Sequence, residues 1–267
     1  MKSGIQQFDL TNKSVLLTGG SKGLGKAMAE GLASAGANLA LVSRNQKEVI
    51  TVASHLATTF GIKAEGYEYD VSNEQKVEDL IKHVNRDFGT IDILINNAGI
   101  NRRGPIEELS YEDFKEVQKI NVDAVWLCCK AVIPQMKKNG KGRIINLSSA
   151  LGLVGTPNRT PYTASKGAVT QLTRALSSEL AGTGITVNAI CPGAVEGDRM
   201  ERVVAMEAAA RGVPEDSVRT LYADGNSLRT WVTADDLAEM ILFLTSPQGA
   251  KISGQAIAVD GNTERMT

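Results

Sequence analysis

Short apolar runs alternate along this chain with longer stretches in which apolar positions recur every three to four residues. The runs fall at 14–17, 38–43, 64–69, 91–96, 143–147, 186–190 and 255–259. Several are apolar at consecutive positions, as in V-L-L and I-L-I, which suits strands covered on both faces. Helical periodicity occupies 25–35, 46–60, 74–88, 111–138 and 162–181. Strand, helix, strand repeated in this order predicts an α/β chain, doubly wound, with a parallel seven-stranded sheet and helices on both faces. No Pro/Gly/Ser linker, charge run, short repeat or low-complexity segment divides it, so residues 1–267 are expected to form a single domain.

The alternation breaks once, between residues 194 and 232. E-G-D-R-M-E-R-V-V-A-M-E-A-A-A-R-G-V is helix-prone, Pro214 ends it, and a second short helix has room to follow. So long an insertion before the last helix and strand exceeds an ordinary connection, and a lid-like pocket wall is expected of it.

Composition narrows the function. Hydrophobic residues make up 42% and charged residues 22% of the 267, ordinary values for a globular protein with a substantial core. A formal charge of −1, from 29 basic and 30 acidic residues, attracts neither nucleic acid nor an anionic membrane as a whole-molecule effect. No apolar stretch is long enough to span a bilayer, and M-K-S-G-I-Q-Q-F-D-L lacks the core of a signal peptide. A cytoplasmic protein is expected. Cys128, Cys129 and Cys191 are too few and too irregular for a disulfide framework or a zinc site, so they read as buried thiols and no metal is expected.

Two motifs carry chemistry. In Y-T-A-S-K, Tyr162 and Lys166 stand four apart and share a helix face. A phenol of pKa about 10 is a poor base near neutral pH, and an adjacent ammonium favours its ionised form. The second motif, T-G-G-S-K-G-L-G from Thr18 to Gly25, follows a strand and opens a helix, the setting of a dinucleotide-binding turn in a Rossmann fold. Gly19, Gly23 and Gly25 permit close backbone approach to phosphate, with Ser21, Lys22 and Leu24 between them. The second strand ends in Ser43 and Arg44 with no carboxylate to receive a ribose 2′-hydroxyl. A guanidinium there suits a 2′-phosphate, Lys22 adds a second charge, and NADP(H) is the expected cofactor.

With N-N-A-G at 96–99, Asn121 in K-I-N-V, Ser149 in N-L-S-S-A and C-P-G at 191–193, these motifs resemble the short-chain dehydrogenase/reductase family from about residue 8 to residue 261. The resemblance implies a catalytic tetrad of Asn121, Ser149, Tyr162 and Lys166; Ser149 is chosen over Ser148 because it stands thirteen positions before the tyrosine. Tyr162 would exchange the alcohol proton, Ser149 would bond the same oxygen, Lys166 would hold the nicotinamide ribose, and Asn121 would anchor a relay water. Asp70 and Val71 would meet adenine. Asn97 would stabilise the central sheet, while Ala98, Gly99, Pro192, Gly193 and Val195 would border the cofactor. The threonine usual in the family four residues after the glycine of P-G is Gly197 here, which shifts the expected carboxamide contacts to backbone around Ala194 and Val195. Pairing of the long helices 111–138 and 162–181 would give a homotetramer.

For substrate the candidates are Arg103 and Arg159 with Ser149; Arg102 and Arg103 follow N-N-A-G-I-N, and Arg159 lies just before Tyr162. Guanidinium groups at a pocket mouth can bind a carboxylate bidentately. The N-terminal two-thirds is similar to gluconate 5-dehydrogenases, a similarity that fades after Gly193 and implies a keto or hydroxy carboxylate such as a sugar acid. A 3-oxoacyl thioester reductase, with the arginines meeting an acidic carrier protein, is the alternative. A non-catalytic NADP-binding sensor is a third reading, against which the complete tetrad counts.

Overall fold

The computed structural model describes residues 8–263; the first part of the N-terminal segment assessed for a leader lies outside them. Seven strands form one sheet: β1 Ser14–Thr18, β2 Asn38–Ser43, β3 Ala64–Glu68, β4 Ile93–Asn96, β5 Gly142–Leu147, β6 Ile185–Pro192 and β7 Ala256–Val259. They run in the order β3-β2-β1-β4-β5-β6-β7, and every neighbouring pair is parallel. The order reverses between β1 and β4, the place where such sheets open a crevice at their carboxyl ends.

Consecutive apolar residues serve both faces. Leu17, Leu39, Leu41, Ile93 and Ile95 face one core, against Met28 and Leu32 of α1 (Gly23–Ser34), Val49 and Leu56 of α2 (Gln46–Phe60) and Leu237 and Ile241 of the C-terminal helix. Leu16, Ala40, Val42, Leu94 and Ile144 face the other, against Leu80 of α3 (Glu74–Phe88), Val132 and Val169. Among the described residues no helix is long and apolar enough to cross a membrane.

The stretch 111–138, expected as one helix, is three pieces: α4 Tyr111–Gln118, a π-helical turn Lys119–Asp123, and α5 Ala124–Asn139. The Ala124 N–H reaches back five residues to the Lys119 carbonyl, so the helix takes in an extra residue at Asn121. α6 runs Thr160–Glu179, two residues earlier than expected, because Pro161 fits a first turn that needs no N–H there. α1 likewise starts at Gly23 rather than at residue 25. The 194–232 insertion folds as α7 Asp198–Arg211 and α8 Glu215–Asp224, with left-handed Gly212 (φ 64) and Pro214 between them. Val204, Ala208, Val218 and Tyr222 form their small shared core, and α9 Ala234–Thr245 follows.

Candidate active site

The residues singled out from the sequence gather at the carboxyl ends of the strands. After β1, Gly19 (φ 68) and Gly23 (φ 50) take backbone conformations that side chains avoid. A Cβ on Gly25 would lie 2.0 Å from the Gly19 carbonyl oxygen, so the turn closes only with glycine there. The Ser21 hydroxyl bonds that of Ser43 at 3.1 Å, tying the turn to the end of β2. Lys22 pairs instead with Glu48 at 2.7 Å, a surface contact in which its side chain stays 73% exposed, so its positive charge is shared before any ligand arrives. Arg44 is exposed and forms no ion pair among the described residues.

Asn97, just after β4, ties the end of the neighbouring central strand β1 to this turn: its Nδ2 donates to the carbonyls of Thr18 (3.0 Å) and Gly19 (3.1 Å). The Thr18 hydroxyl accepts from the N–H groups of Asn97 and Ala98 at 3.0 and 3.1 Å. The central sheet is stitched by its neighbour Asn96, which donates to Asn146 at 2.9 Å, and Asn146 in turn donates to Thr173 of α6 at 2.9 Å. Past β3, Asp70 accepts from the Ser72 amide and hydroxyl at 3.0 and 2.7 Å. Burial pushes its carboxyl up, but those bonds and the charges of Lys119 and Arg44 outweigh it and hold the pKa below the ordinary value. Val71 beside it is buried.

Asn121 is fully buried. Its Oδ1 accepts from the Ile100 N–H at 2.8 Å, and its Nδ2 donates to the Ile100 carbonyl at 2.9 Å and to Ser165 Oγ at 3.0 Å. Both Nδ2 protons and one acceptor position of the side chain thus clamp Ile100, just after Gly99, to Ser165. Ser165 passes the contact on, donating to the Tyr162 carbonyl at 2.7 Å.

Ser149 caps a short turn after β5, its oxygen accepting from Leu151 N at 3.1 Å. Ser148 bonds the Lys166 carbonyl at 2.9 Å, which seats this strand end on α6. Lys166 is buried; its Nζ donates to the Leu147 carbonyl at 2.6 Å and stands 5.6 Å from the Tyr162 ring centre. Burial lowers the ammonium pKa, the Tyr162 hydroxyl opposes that, and the charge of Arg199 on α7 adds to it.

Pro192, the last residue of β6, leads to Gly193, where a Cβ would meet Asp260 Cβ at 2.8 Å. Val195 bridges Val232 through the Ala194 carbonyl (3.1 Å) and the Glu196 N–H (2.9 Å). The Ala194 carbonyl thus accepts from Val232, and alternation along a ladder turns the Val195 N–H and C=O the other way.

The three arginines divide. Arg102 pairs with Asp113 at 3.2 Å and Glu116 at 2.5 Å, away from the site. Arg103 and Arg159 have no ion pair among the described residues. The loops that carry them are pinned together by the Gly104 N–H donating to the Asn158 carbonyl at 3.0 Å. Burial lowers the Arg159 pKa and the nearby charge of Arg103 lowers it further, while Tyr222 and Tyr162 oppose. Tyr222, Arg199, Thr18 and Ser165 were not singled out from the sequence. Thr18 and Ser165 stood inside motifs already noticed, whereas Tyr222 in L-Y-A-D carries no local signal. Among the described residues no cluster of His, Cys, Asp or Glu could hold a metal.

A family model described as short chain dehydrogenase matches residues 13–208. The gluconate 5-dehydrogenase of Gluconobacter oxydans is 35% identical over 258 residues, 95% of each chain. That span continues through the insertion, beyond the N-terminal two-thirds. D-beta-hydroxybutyrate dehydrogenase of Rhizobium meliloti is 33% identical, covering 93% of this chain and 97% of that one. The crystal structure of L-sorbose reductase from Gluconobacter frateurii, complexed with NADPH and L-sorbose, superposes with a TM-score of 0.92 at 26% identity, covering 98% of this chain and 100% of that one.

Proposed function

The chain belongs to the short-chain dehydrogenase family and is an oxidoreductase of CH–OH groups; we propose that it uses NADP(H) to interconvert a keto carboxylate, of the sugar-acid kind, with its hydroxy acid. The phosphate turn fits such a cofactor, because the position a Cβ of Gly25 would need is filled by backbone and the turn opens a helix N-terminus. Arg44, exposed and unpaired among the described residues, suits the 2′-phosphate, with Lys22 beside it once Glu48 yields. Asp70 and Val71 border adenine, Asn97, Ala98 and Gly99 line the middle of the site, and Pro192, Gly193 and the backbone of Val195 meet the nicotinamide end. Bound there, the nicotinamide supplies or accepts a hydride.

The chain's own residues handle the proton and the oxygen. Tyr162 gives its hydroxyl proton to the carbonyl oxygen in reduction and takes it back in oxidation. Ser149 donates a hydrogen bond to the same oxygen as charge develops on it. Lys166, with one proton committed to Leu147, keeps two for a ribose and holds positive charge beside the Tyr162 ring. Asn121 keeps the 98–100 segment in place through Ile100.

The keto-carboxylate reading is carried by Arg103 and Arg159, two guanidinium groups on loops pinned beside Tyr162 without a carboxylate of their own. A panel followed at 340 nm tests it: 5-ketogluconate, L-sorbose, which has CH2OH where 5-ketogluconate has its carboxylate, and an acetoacetyl thioester. Preference for 5-ketogluconate with NADPH is expected. Preference for the thioester moves the assignment to acyl reduction, with Arg103 as a docking charge. Tyr162→Phe is expected to lose roughly a hundredfold or more of turnover while still binding NADPH; full retention of activity or of cellular function makes the protein a sensor.

The reading extends to assembly. Trp126, 48% exposed, lies with Val122, Leu127 and Leu172 along an open groove that Glu74 and Asp123 border, a partly apolar face that suits a second copy and, through two-fold axes, a homotetramer. The proposed compartment is the cytoplasm, consistent with three buried thiols that form no disulfide.

A further inference from the structure

Resting on the placement of the nicotinamide end at Pro192 and Gly193, we infer that Asn262 is a positioning residue: it locks a turn after β7 that joins the nicotinamide loop to the far foot of the α7–α8 insertion. The insertion has a small core of its own, separate from the two that cover the sheet. Its near foot is the bridge between Val195 and Val232, just past β6. Its far foot follows α8 and lies on the turn 260–263. There the Ser227 N–H donates to the Asn262 carbonyl at 3.1 Å, and the Leu228 N–H to the Gly261 carbonyl at 3.2 Å. The Asn262 Nδ2 adds a bond to Ser227 Oγ at 2.6 Å. Asn226 closes the foot on itself, donating to the Thr230 carbonyl at 2.8 Å.

The turn itself is stiff. Asp260 Oδ1 accepts from the Asn262 N–H at 2.9 Å and Oδ2 from the Thr263 N–H at 3.2 Å, so the carboxylate is taken up in holding the loop. Gly261, at φ 67, presses on Asn226, whose Oδ1 lies 2.5 Å from where a Cβ on that glycine would stand. On its other side the turn abuts the nicotinamide loop. The Gly193 N–H donates to the Val259 carbonyl at 3.1 Å, and the close approach of Gly193 to Asp260 leaves no room for a side chain between them. Packing this close passes a displacement on rather than absorbing it. A nicotinamide seated on Pro192 and Gly193 therefore bears on Asp260, and through Asn262 on Ser227 and the end of α8. α7 starts differently, from Gly197 at φ 135, where an added Cβ would meet nothing within 4 Å, so glycine there serves backbone freedom. The cofactor thus fixes the α8 end of the insertion and leaves α7 to swing onto the substrate.

Asn262→Gly keeps the left-handed backbone (φ 61) and its main-chain bonds and removes the bond to Ser227 Oγ. Ser227→Ala removes the same bond from the other side. Trypsin cutting after the exposed Arg229, within the far foot, reads the joint directly. In wild type, saturating NADP+ is expected to slow that cut about fivefold or more, an ordinary coupling between two sites. In either variant the slowing falls below about twofold, and the double variant is no worse than either single one. KM for 5-ketogluconate and for L-sorbose rises alike in both variants, about fivefold, the scale of one lost hydrogen bond. Affinity for NADP+, kcat and melting temperature stay near wild type. Variants that NADP+ protects as well as wild type overturn the inference. So do variants that lose NADP+ affinity and melting temperature together, since Asn262 is then merely structural. A wild type that binds NADP+ without slower cleavage overturns the inference alone, and one that binds no NADP+ removes the cofactor reading and the inference with it.

Discussion

Glu48 stands where its charge opposes the task given to Lys22 and Arg44. The Lys22–Glu48 contact at 2.7 Å is a surface pair, and such pairs are weak enough for a phosphate to displace. Removing the carboxylate frees Lys22, so Glu48→Gln is expected to lower the KM for NADPH roughly two- to fivefold and to leave that for NADH unchanged. An unmoved NADPH value means that Lys22 does not reach the 2′-phosphate. The missing acid at the end of β2 was legible in the sequence because it follows directly from strand position; the Glu48 partner, a turn into α2, was not. Arg102 and Arg103 make the same point. As neighbours in sequence they read alike, and only the packing of α4 separates them, since its Asp113 and Glu116 consume one guanidinium. The cysteines were the easier case: Cys128 and Cys129 are buried, and burial, against a bond from Asn96, pushes the Cys129 thiol up to about 12, far from reactive.

At the scale of elements, α2 and α3 match the helical periodicity residue for residue. Both begin at an asparagine whose side chain accepts from the first turn and end at glycine, signals written locally. The π-turn in 119–123 is not written locally. Within it Asn121 grips both backbone groups of Ile100, a residue outside the helix and distant in sequence. The phosphate turn lies between these cases. Its glycine pattern is visible, but the pair that matters, a Cβ at Gly25 against the Gly19 carbonyl, appears only once the turn is closed. Gly25→Ala must open the turn to relieve a 2.0 Å contact, so NADPH affinity should fall about tenfold or more, of the order of a lost charged hydrogen bond, while the far-UV circular dichroism stays unchanged. Wild-type affinity in that variant would show that cofactor phosphate does not rest on this turn.

For the whole molecule, the exposed Trp126 and its groove on α5 and α6 decide the assembly prediction. Trp126→Asp places a charge on that face; light scattering should report a mass below the four copies expected of wild type, and a variant that stays tetrameric moves the contact elsewhere. What the sequence by itself determined is everything that repeats or sits at a fixed offset. Paired apolar positions required a sheet covered on both faces, strand–helix alternation required parallel strands, and Tyr162 with Lys166 had to share a helix face. What only the tertiary structure decided is which distant groups meet. Ser21 in the turn after β1 and Ser43 at the end of β2 bond at 3.1 Å, and Asn121 meets Ile100 at 2.8 Å from another element, contacts that no local pattern encodes. Neighbouring Asn96 and Asn97 serve different strands because one points to β5 and the other to β1. Side-chain periodicity fixes a face, but the partner on that face is set by packing between elements, and the substrate is chosen there.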